Sequence, residues 1–418
     1  MSSKSISVQP LSAKVLDQIV PTGFESPASP LIASSSLPPE AVRELVSLVG
    51  DAKQAIFDAL DSESDLGASP ENETAALLQA WLAENATERA HVEGLGGEIP
   101  LDERDLRWGL SLLSWLRGLK KHPILRPTKG PEQLPAHARI ALLGDWGSGR
   151  YSAPKVGQAV AAGSYDVAIH LGDVYYAGTE REVRDNFLRY WPVRDGMLSR
   201  ALNSNHEMYS GGYGYFKLTL PRFEQEASYF ALRNDHFLLI GLDTGYDDHN
   251  LDDEQLGWLK ATVAEAGGRK VILMSHHQLY KPGDAPAKKL VAKVGPLLEA
   301  GKIFAWYWGH EHVAAIFDHD PTYRFHARCI GHGGFPYFRY SGDAPSSSGL
   351  LDSSWRTLAG NNKTPNALQL DDPNPDVAPA DPKKYGAQGF ASLELDGPSL
   401  VERLHRPDGS VIYEKKLA

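Results

Sequence analysis

The sequence predicts an α/β domain preceded by a helical segment, and three features predict it. From residue 140 onward, short apolar runs at 140–143, 167–171, 237–242, 271–274 and 303–308 alternate with helical stretches at 155–162, 182–190, 253–265 and 288–299. Strands alternating with helices are the pattern of an α/β domain. Before residue 122 the apolar residues instead recur at three- and four-residue steps, the period of helices. Between the two regimes, residues 122–137 carry four prolines and read as a linker.

Taken in order, residues 38–60 open with Pro-Pro-Glu and place Val42, Leu45, Val46, Leu48, Val49, Ile56 and Leu60 on a helical face. A second helix is expected near residues 72–92, with Leu77, Leu78, Trp81 and Leu82 on its stripe. A third is expected over 102–120, with Leu106, Trp108, Leu110, Leu113, Trp115 and Leu116. These stripes are packing faces. The division is therefore a helical N-terminal domain and linker at 1–136 and an α/β domain at 137–418. Residues 341–388 are rich in Ser, Asp, Asn and Pro and read as a long surface loop. Residues 390–395, 400–405 and 411–414 alternate like strands, with Arg406-Pro407-Asp408-Gly409 as the last hairpin turn. No internal repeat is visible.

Composition narrows the function. The formal net charge of −11 over 418 residues argues against a nucleic-acid binder, which needs a basic face. The single cysteine, Cys329, excludes an intrachain disulfide. The first 21 residues lack a signal-peptide pattern, and no apolar run is long enough to span a bilayer. The expectation is a soluble, cytoplasmic protein without a membrane partner.

The chemistry lies in five short clusters: Gly144-Asp145-Trp146-Gly147, Gly172-Asp173-Val174-Tyr175-Tyr176, Asn205-His206-Glu207, Ser275-His276-His277 and Gly309-His310-Glu311-His312. Four of them follow an apolar run, and sites in α/β domains sit beyond the carboxyl ends of strands. The residue types suit two metal ions. Phosphate esters resist attack because their oxygens repel a nucleophile; two cations bind those oxygens and make hydroxide from water at neutral pH. Asp173 is a natural bridging carboxylate, Asp145 an oxygen ligand to one ion, and the Asn205 carbonyl an oxygen ligand to the other. His276, His310 and His312 offer neutral imidazoles. His310 and His312 are two apart, so from an extended segment both point the same way.

These clusters resemble those of the calcineurin-like metallophosphoesterases. Most of that superfamily has Asp-x-His in the first cluster; here Asp145-Trp146-Gly147 lacks the histidine, and Tyr176 stands three residues after Asp173. That combination resembles the purple acid phosphatases, nearest to the small tartrate-resistant type, over about residue 140 to the C-terminus. The resemblance implies a two-sheet αββα sandwich. It also implies Fe(III) plus a divalent ion (Fe, Zn or Mn). Asp145, Tyr176 and His312 would serve the Fe(III), Asn205, His276 and His310 the divalent ion, and Asp173 both. Charge counting agrees with a phenolate. Fe(III) with a divalent ion carries five positive charges, and Asp145, Asp173, the Tyr176 phenolate and one hydroxide remove four; a hard phenolate matches a hard trivalent ion.

Two departures from that family stand out. The third cluster begins with Ser204 rather than glycine, and the catalytic histidine expected after the strand histidine is replaced by Asp284. His206 and Asp284 are therefore the candidates for protonating the leaving group. Arg150, His277 and His332 are candidates for binding substrate; Asp243-Thr244 reads as a turn-stabilising pair. The expected function is hydrolysis of a small phosphate monoester by a hydroxide held at two metals. A phosphodiesterase or phosphotriesterase with the same centre is the alternative, and a non-catalytic scaffold a further one. The N-terminal helices, unable to bury their faces singly, are expected to pack together, on the catalytic domain or on a second chain as a homo-oligomer.

Overall fold

Strand β2 (His137–Leu143) shows how the sequence builds the sandwich, because both of its faces are buried. Ile140 and Leu142 face one core, Ala141 and Leu143 another. A strand covered on both sides must be apolar at successive positions, which is why its run reads as continuous rather than alternating. In the computed structural model, residues 120–418 are described apart from 247, 282–284, 321, 338, 340–353, 378, 380–381 and 384. The helical elements expected before residue 120 lie outside the described residues.

The elements in order are β1 (Glu132–Gln133), β2, α1 (Ala153–Ala162), β3 (Val167–His170), α2 (Glu180–Glu182, running on as a wider turn over Val183–Leu188) and β4 (Leu198–Ala201). Next come α3 (Asn205–Tyr209), α4 (Leu220–Arg222), β5 (Phe230–Arg233), β6 (Phe237–Gly241), α5 (Asp253–Ala264), β7 (Lys270–Ser275), α6 (Lys288–Glu299) and β8 (Ile303–Trp308). The chain ends with β9 (Ala314–Phe317), β10 (His326–Ile330), β11 (Trp355–Leu358), β12 (Ala367–Leu370), β13 (Phe390–Asp396), β14 (Ser399–His405) and β15 (Val411–Lys416).

Among the described residues these strands form two mixed sheets. One has nine strands in the order β1-β5-β6-β7-β8-β10-β9-β12-β11; the other has six, β15-β14-β13-β2-β3-β4. The central core lies between them. Ile140, Leu142, Ile169 and Leu393 from the six-stranded sheet meet Leu239, Ile272, Met274 and Tyr307 from the nine-stranded one. Each such fully buried aliphatic side chain contributes roughly 1.5–3 kcal/mol. Outside the nine-stranded sheet, Leu259 and Val263 of α5 and Leu290, Val294 and Leu298 of α6 cover Leu238, Ile240, Leu273 and Trp306. Outside the six-stranded sheet, Val156 and Val160 of α1 pack with Trp146 and Phe187. The expected αββα sandwich is the architecture found.

Two expectations change. Residues 122–137 are not a free linker but part of the compact unit that begins at Lys121. Strand β1 pairs with β5, Leu134 enters the central core and His122 stacks on Phe216 at 4.2 Å. Arg126 also pairs with Asp252 at 2.7 Å, and Asp252 caps α5 by accepting from the Gln255 N–H. The four prolines fit because the segment runs along a sheet edge, where few backbone donors are needed. The long loop at 341–388 likewise contains structure: β12 joins β9 antiparallel and β11 joins β12 antiparallel, extending the nine-stranded sheet.

Strands β2, β3 and β4 are mutually parallel, as are β6, β7, β8 and β10. The loops after β2, β3, β4, β7 and β8 carry all five sequence clusters.

Candidate metal centre

The site is assembled from both sheets. Asp145, Asp173 and Asn205 follow strands of the six-stranded sheet; His276, His310 and His312 follow strands of the nine-stranded one. Three of these residues hold the left-handed backbone that side chains avoid: Asp145 at φ 55°, Asp173 at φ 77° and His310 at φ 69°. Such conformations cost on the order of 1–3 kcal/mol each and persist where surrounding structure dictates them. Glycines then admit the side chains. A Cβ on Gly309 would lie 2.6 Å from Asp145 Oδ2, and one on Gly172 would lie 2.6 Å from His276 Nδ1.

Asp173 is the hub. Its Oδ1 lies 3.1 Å from His276 Nε2 and accepts from Ser204 Oγ at 2.5 Å. Its Oδ2 accepts from the Tyr175 hydroxyl at 2.9 Å and lies 3.8 Å from His206 Nε2. Burial opposes its ionisation, but His206, His276 and His310 outweigh burial and hold its carboxyl below the usual range. Asp145 goes the other way: burial and the neighbouring Asp173 charge push it well above the usual range. Two buried carboxylates this close call for cations in the same space.

The imidazoles are oriented for that task. His276 Nδ1 donates to the Leu171 carbonyl at 3.0 Å, so its Nε2 lone pair faces the cluster. There it lies 3.2 Å from His310 Nδ1 and 3.0 Å from Asn205 Oδ1. Burial lowers the pKa of His276 and of His312 to about 3, keeping both rings neutral and able to bind a metal. Asn205 donates from its amide nitrogen to the Tyr209 hydroxyl at 2.8 Å, which turns Oδ1 inward. Asp145 Oδ2 accepts from the His310 N–H at 2.8 Å, and His312 Nε2 stands 3.6 Å from Asp145 Oδ1. His206 donates from Nδ1 to the Tyr176 carbonyl at 2.5 Å, which leaves Nε2 toward Asp173. Six of the seven expected ligands are thus gathered in one place.

The seventh is corrected. The phenol in the cluster belongs to Tyr175, not Tyr176. Tyr175 Oη lies 3.1 Å from both Asp145 Oδ1 and His312 Nε2 as well as 2.9 Å from Asp173 Oδ2. Tyr176 instead sits near Glu182 and Arg150, the side chains whose charges act on its phenol. The reason is local. The backbone N–H groups of Tyr176 and Ala177 are both taken by the Glu182 carboxylate, and Tyr175 N–H by the Gly147 carbonyl. That turn aims the residue two places after Asp173 inward.

Other expectations meet the structure unevenly. Asp284 lies outside the described residues. Arg150 is half-buried beside Tyr151 and Tyr176. His277 adjoins the cluster, its ring 4.7 Å from that of His310. His332 does not: it is fully buried against Gly389 and near His405. Its flanking glycines serve close packing, Gly331 on Glu311 and Asp145, and Gly333 on Gly144 and Trp146. Ser204 is extended at φ −139°, so no glycine is needed there. Sequence reasoning missed the work of Ser204 and Glu207. The Ser204 hydroxyl lies between Asp173 and Glu207, and burial with the Asp173 charge pushes Glu207 up to about 8. A protonated Glu207 can donate to Ser204, whose own proton goes to Asp173. Serine at a helix start ordinarily signals a cap, which hid this role.

Residues 138–314 match the family model of calcineurin-like phosphoesterases. This part of the chain is thus similar to the calcineurin-like phosphoesterases, a superfamily that uses a dinuclear metal centre. In fold the chain resembles a purple acid phosphatase. The purple acid phosphatase PPD1 from yellow lupin (Lupinus luteus) seeds shares its fold at a TM-score of 0.50 and 14% identity, over 68% of this chain and 54% of that one. The chain thus spans about half the length of the lupin protein. GAP50 of Plasmodium, the anchor in its inner membrane complex, matches at a TM-score of 0.44 and 16% identity, over 67% and 88% of the two chains. A dimetal phosphatase from Danio rerio matches at 0.42 and 12%, over 67% and 98%. A search of curated proteins finds no match. Among the described residues, no helix is long and apolar enough to cross a membrane.

Proposed function

We propose that the chain is a dinuclear metal-dependent phosphoesterase that hydrolyses a phosphate monoester, with Fe(III) and a divalent ion of iron, zinc or manganese. The observation that carries this reading is the meeting of Asp145, Asp173, Tyr175, Asn205, His276, His310 and His312 at the carboxyl edges of two sheets. Asp145, Tyr175 and His312 would hold the Fe(III), Asn205, His276 and His310 the divalent ion, and Asp173 both. When bound, such ions polarise the phosphoryl oxygens and lower the pKa of water.

The chain's own residues do the rest. Left-handed backbone at Asp145, Asp173 and His310 fixes the donors in advance, so little reorganisation is needed on binding. His206, with its Nδ1 proton committed to the Tyr176 carbonyl, presents Nε2 toward the centre. As the imidazolium it would carry a second proton there, on Nε2, for the departing alkoxide. The single cysteine fits a reducing, cytoplasmic setting. The test is metal analysis followed by a panel of aryl phosphate mono-, di- and triesters. Activity confined to diesters or triesters, or absent with two metals bound, would overturn the monoester reading.

A further inference from the structure

Beside the cluster stands an imidazole that the dinuclear reading leaves without a task. His277 follows His276 directly after β7 and is 4% exposed. Two contacts fix its ring. Its backbone N–H donates to Thr244 Oγ1 at 3.1 Å, and its Nδ1 lies 2.9 Å from the same oxygen. Thr244 is itself fully buried just beyond β6, the strand paired in parallel with β7. Nε2 is left buried with no hydrogen-bond partner, where a satisfied polar atom is the rule. His249 lies over the ring at 4.0 Å and 32°.

The direction matters. The His277 ring is 4.8 Å from that of His276 and 4.7 Å from that of His310. One ligand atom from each of the three imidazoles comes within 4.8 Å of the other two. Imidazole nitrogens bind zinc at roughly 2.0–2.1 Å, so two of them on one ion stand up to about 4 Å apart. Three of them on one ion stand about 3.3–3.6 Å from one another, so an inward shift of about 1 Å brings all three rings onto a single ion. Water cannot reach Nε2, but a bare cation is smaller than water.

We propose that His277 is an additional nitrogen ligand to the metal on the Asn205 side, joining His276 and His310. The inference rests on the dinuclear reading above. It adds a neutral donor, so the net charge of the centre is unchanged while its preference shifts. Three imidazoles, one amide oxygen and a shared carboxylate favour zinc or iron(II) over the oxygen-seeking manganese(II) and magnesium. Thr244 is then a positioning residue, because it orients the ring without touching the ion.

The test uses the full chain stripped of metal and titrated with zinc(II) and, separately, with manganese(II) against a chromophoric chelator, with metal counted per chain. Wild-type protein is expected to hold two ions. His277→Ala and His277→Gln are each expected to weaken one ion by about 10-fold or more and leave the other unchanged. Their zinc-over-manganese preference should fall with it. Thr244→Val should loosen the same ion less. A His277→Ala protein that holds both ions as tightly as wild type, with the same metal preference, would overturn the proposal. Wild-type protein that holds fewer than two ions would instead overturn the dinuclear reading, and this inference with it. Should both His277 variants fail to fold, Thr244→Val decides: a loosened ion supports the assignment and unchanged affinity rejects it.

Discussion

The Tyr175 hydroxyl donates to Asp173 Oδ2 at 2.9 Å although only one residue separates the two in the chain. A turn pinned by the Glu182 carboxylate brings this about, and it leaves Tyr176 pointing elsewhere. Protein expressed with ample iron should therefore hold two metals and absorb in the visible through a phenolate–iron band. Tyr175→Phe should abolish the band, and Tyr176→Phe should keep it. Visible spectra and iron analysis of both variants check this; the reverse pattern would return the ligand to Tyr176.

Ligands and proton carrier should separate on mutation. Asp173→Asn or His310→Ala removes a group at the heart of the cluster and should lose both metal and activity. His206→Ala should retain both metals while turnover falls by about 10²–10⁴-fold, the usual worth of a positioned acid. Elemental analysis beside steady-state kinetics reads the difference. Metal loss in His206→Ala as severe as in His310→Ala would make His206 a ligand.

Truncation now has a structural boundary. A chain beginning at Lys121 keeps β1, Leu134 and the Arg126–Asp252 pair. It should bind both metals and cleave a small aryl phosphate. A chain beginning at Ala136 loses all three and should melt at a lower temperature. Equal melting temperatures for the two would show that residues 121–135 add nothing to stability.

Acid should weaken the metal-free protein through its buried imidazoles. Burial lowers the pKa of His170 and His332 to about 3, against an ordinary value near 6.5. Protonation thus favours the unfolded chain. The stability is complete above about pH 6.5 and is lost as pH falls toward 3, by up to about 1.4 kcal/mol per pH unit for each ring. Between pH 7 and pH 5 one such ring accounts for about 2 kcal/mol. His332→Leu should remove that share, seen as a flatter pH dependence in denaturant titrations. An unchanged slope would mean that His332 finds a proton partner in the fold.

Legibility in the sequence followed burial. Strands β2, β3, β6, β7 and β8 were readable because burial on both faces demands unbroken apolar runs. Strand β10 was not, since Arg328 and Cys329 break its run, yet both are buried. Asp145, Asp173, Asn205, His276, His310 and His312 were readable because chemistry restricts residue type at strand ends. The choice between Tyr175 and Tyr176 was not, because it depends on which backbone donors Glu182 captures, a contact six residues away in sequence. The tasks of Ser204 and Thr244 were hidden too; each looks like an ordinary turn residue until its neighbour across the fold is placed.

The division of the centre between two sheets has a mechanical consequence. Arg328 on β10 of one sheet grips Glu402 on β14 of the other through bonds of 2.7 to 3.0 Å, and Tyr307 on β8 donates to the same carboxylate at 2.9 Å. Apolar side chains in the central core resist separation of the sheets but tolerate small lateral slip, since dispersion has little directionality. A forked guanidinium on a carboxylate does not tolerate it. The pair therefore acts as a dowel that sets the alignment of one sheet on the other. Because Asp173 and His276 ride on different sheets, the same dowel sets the gauge of the gap between them.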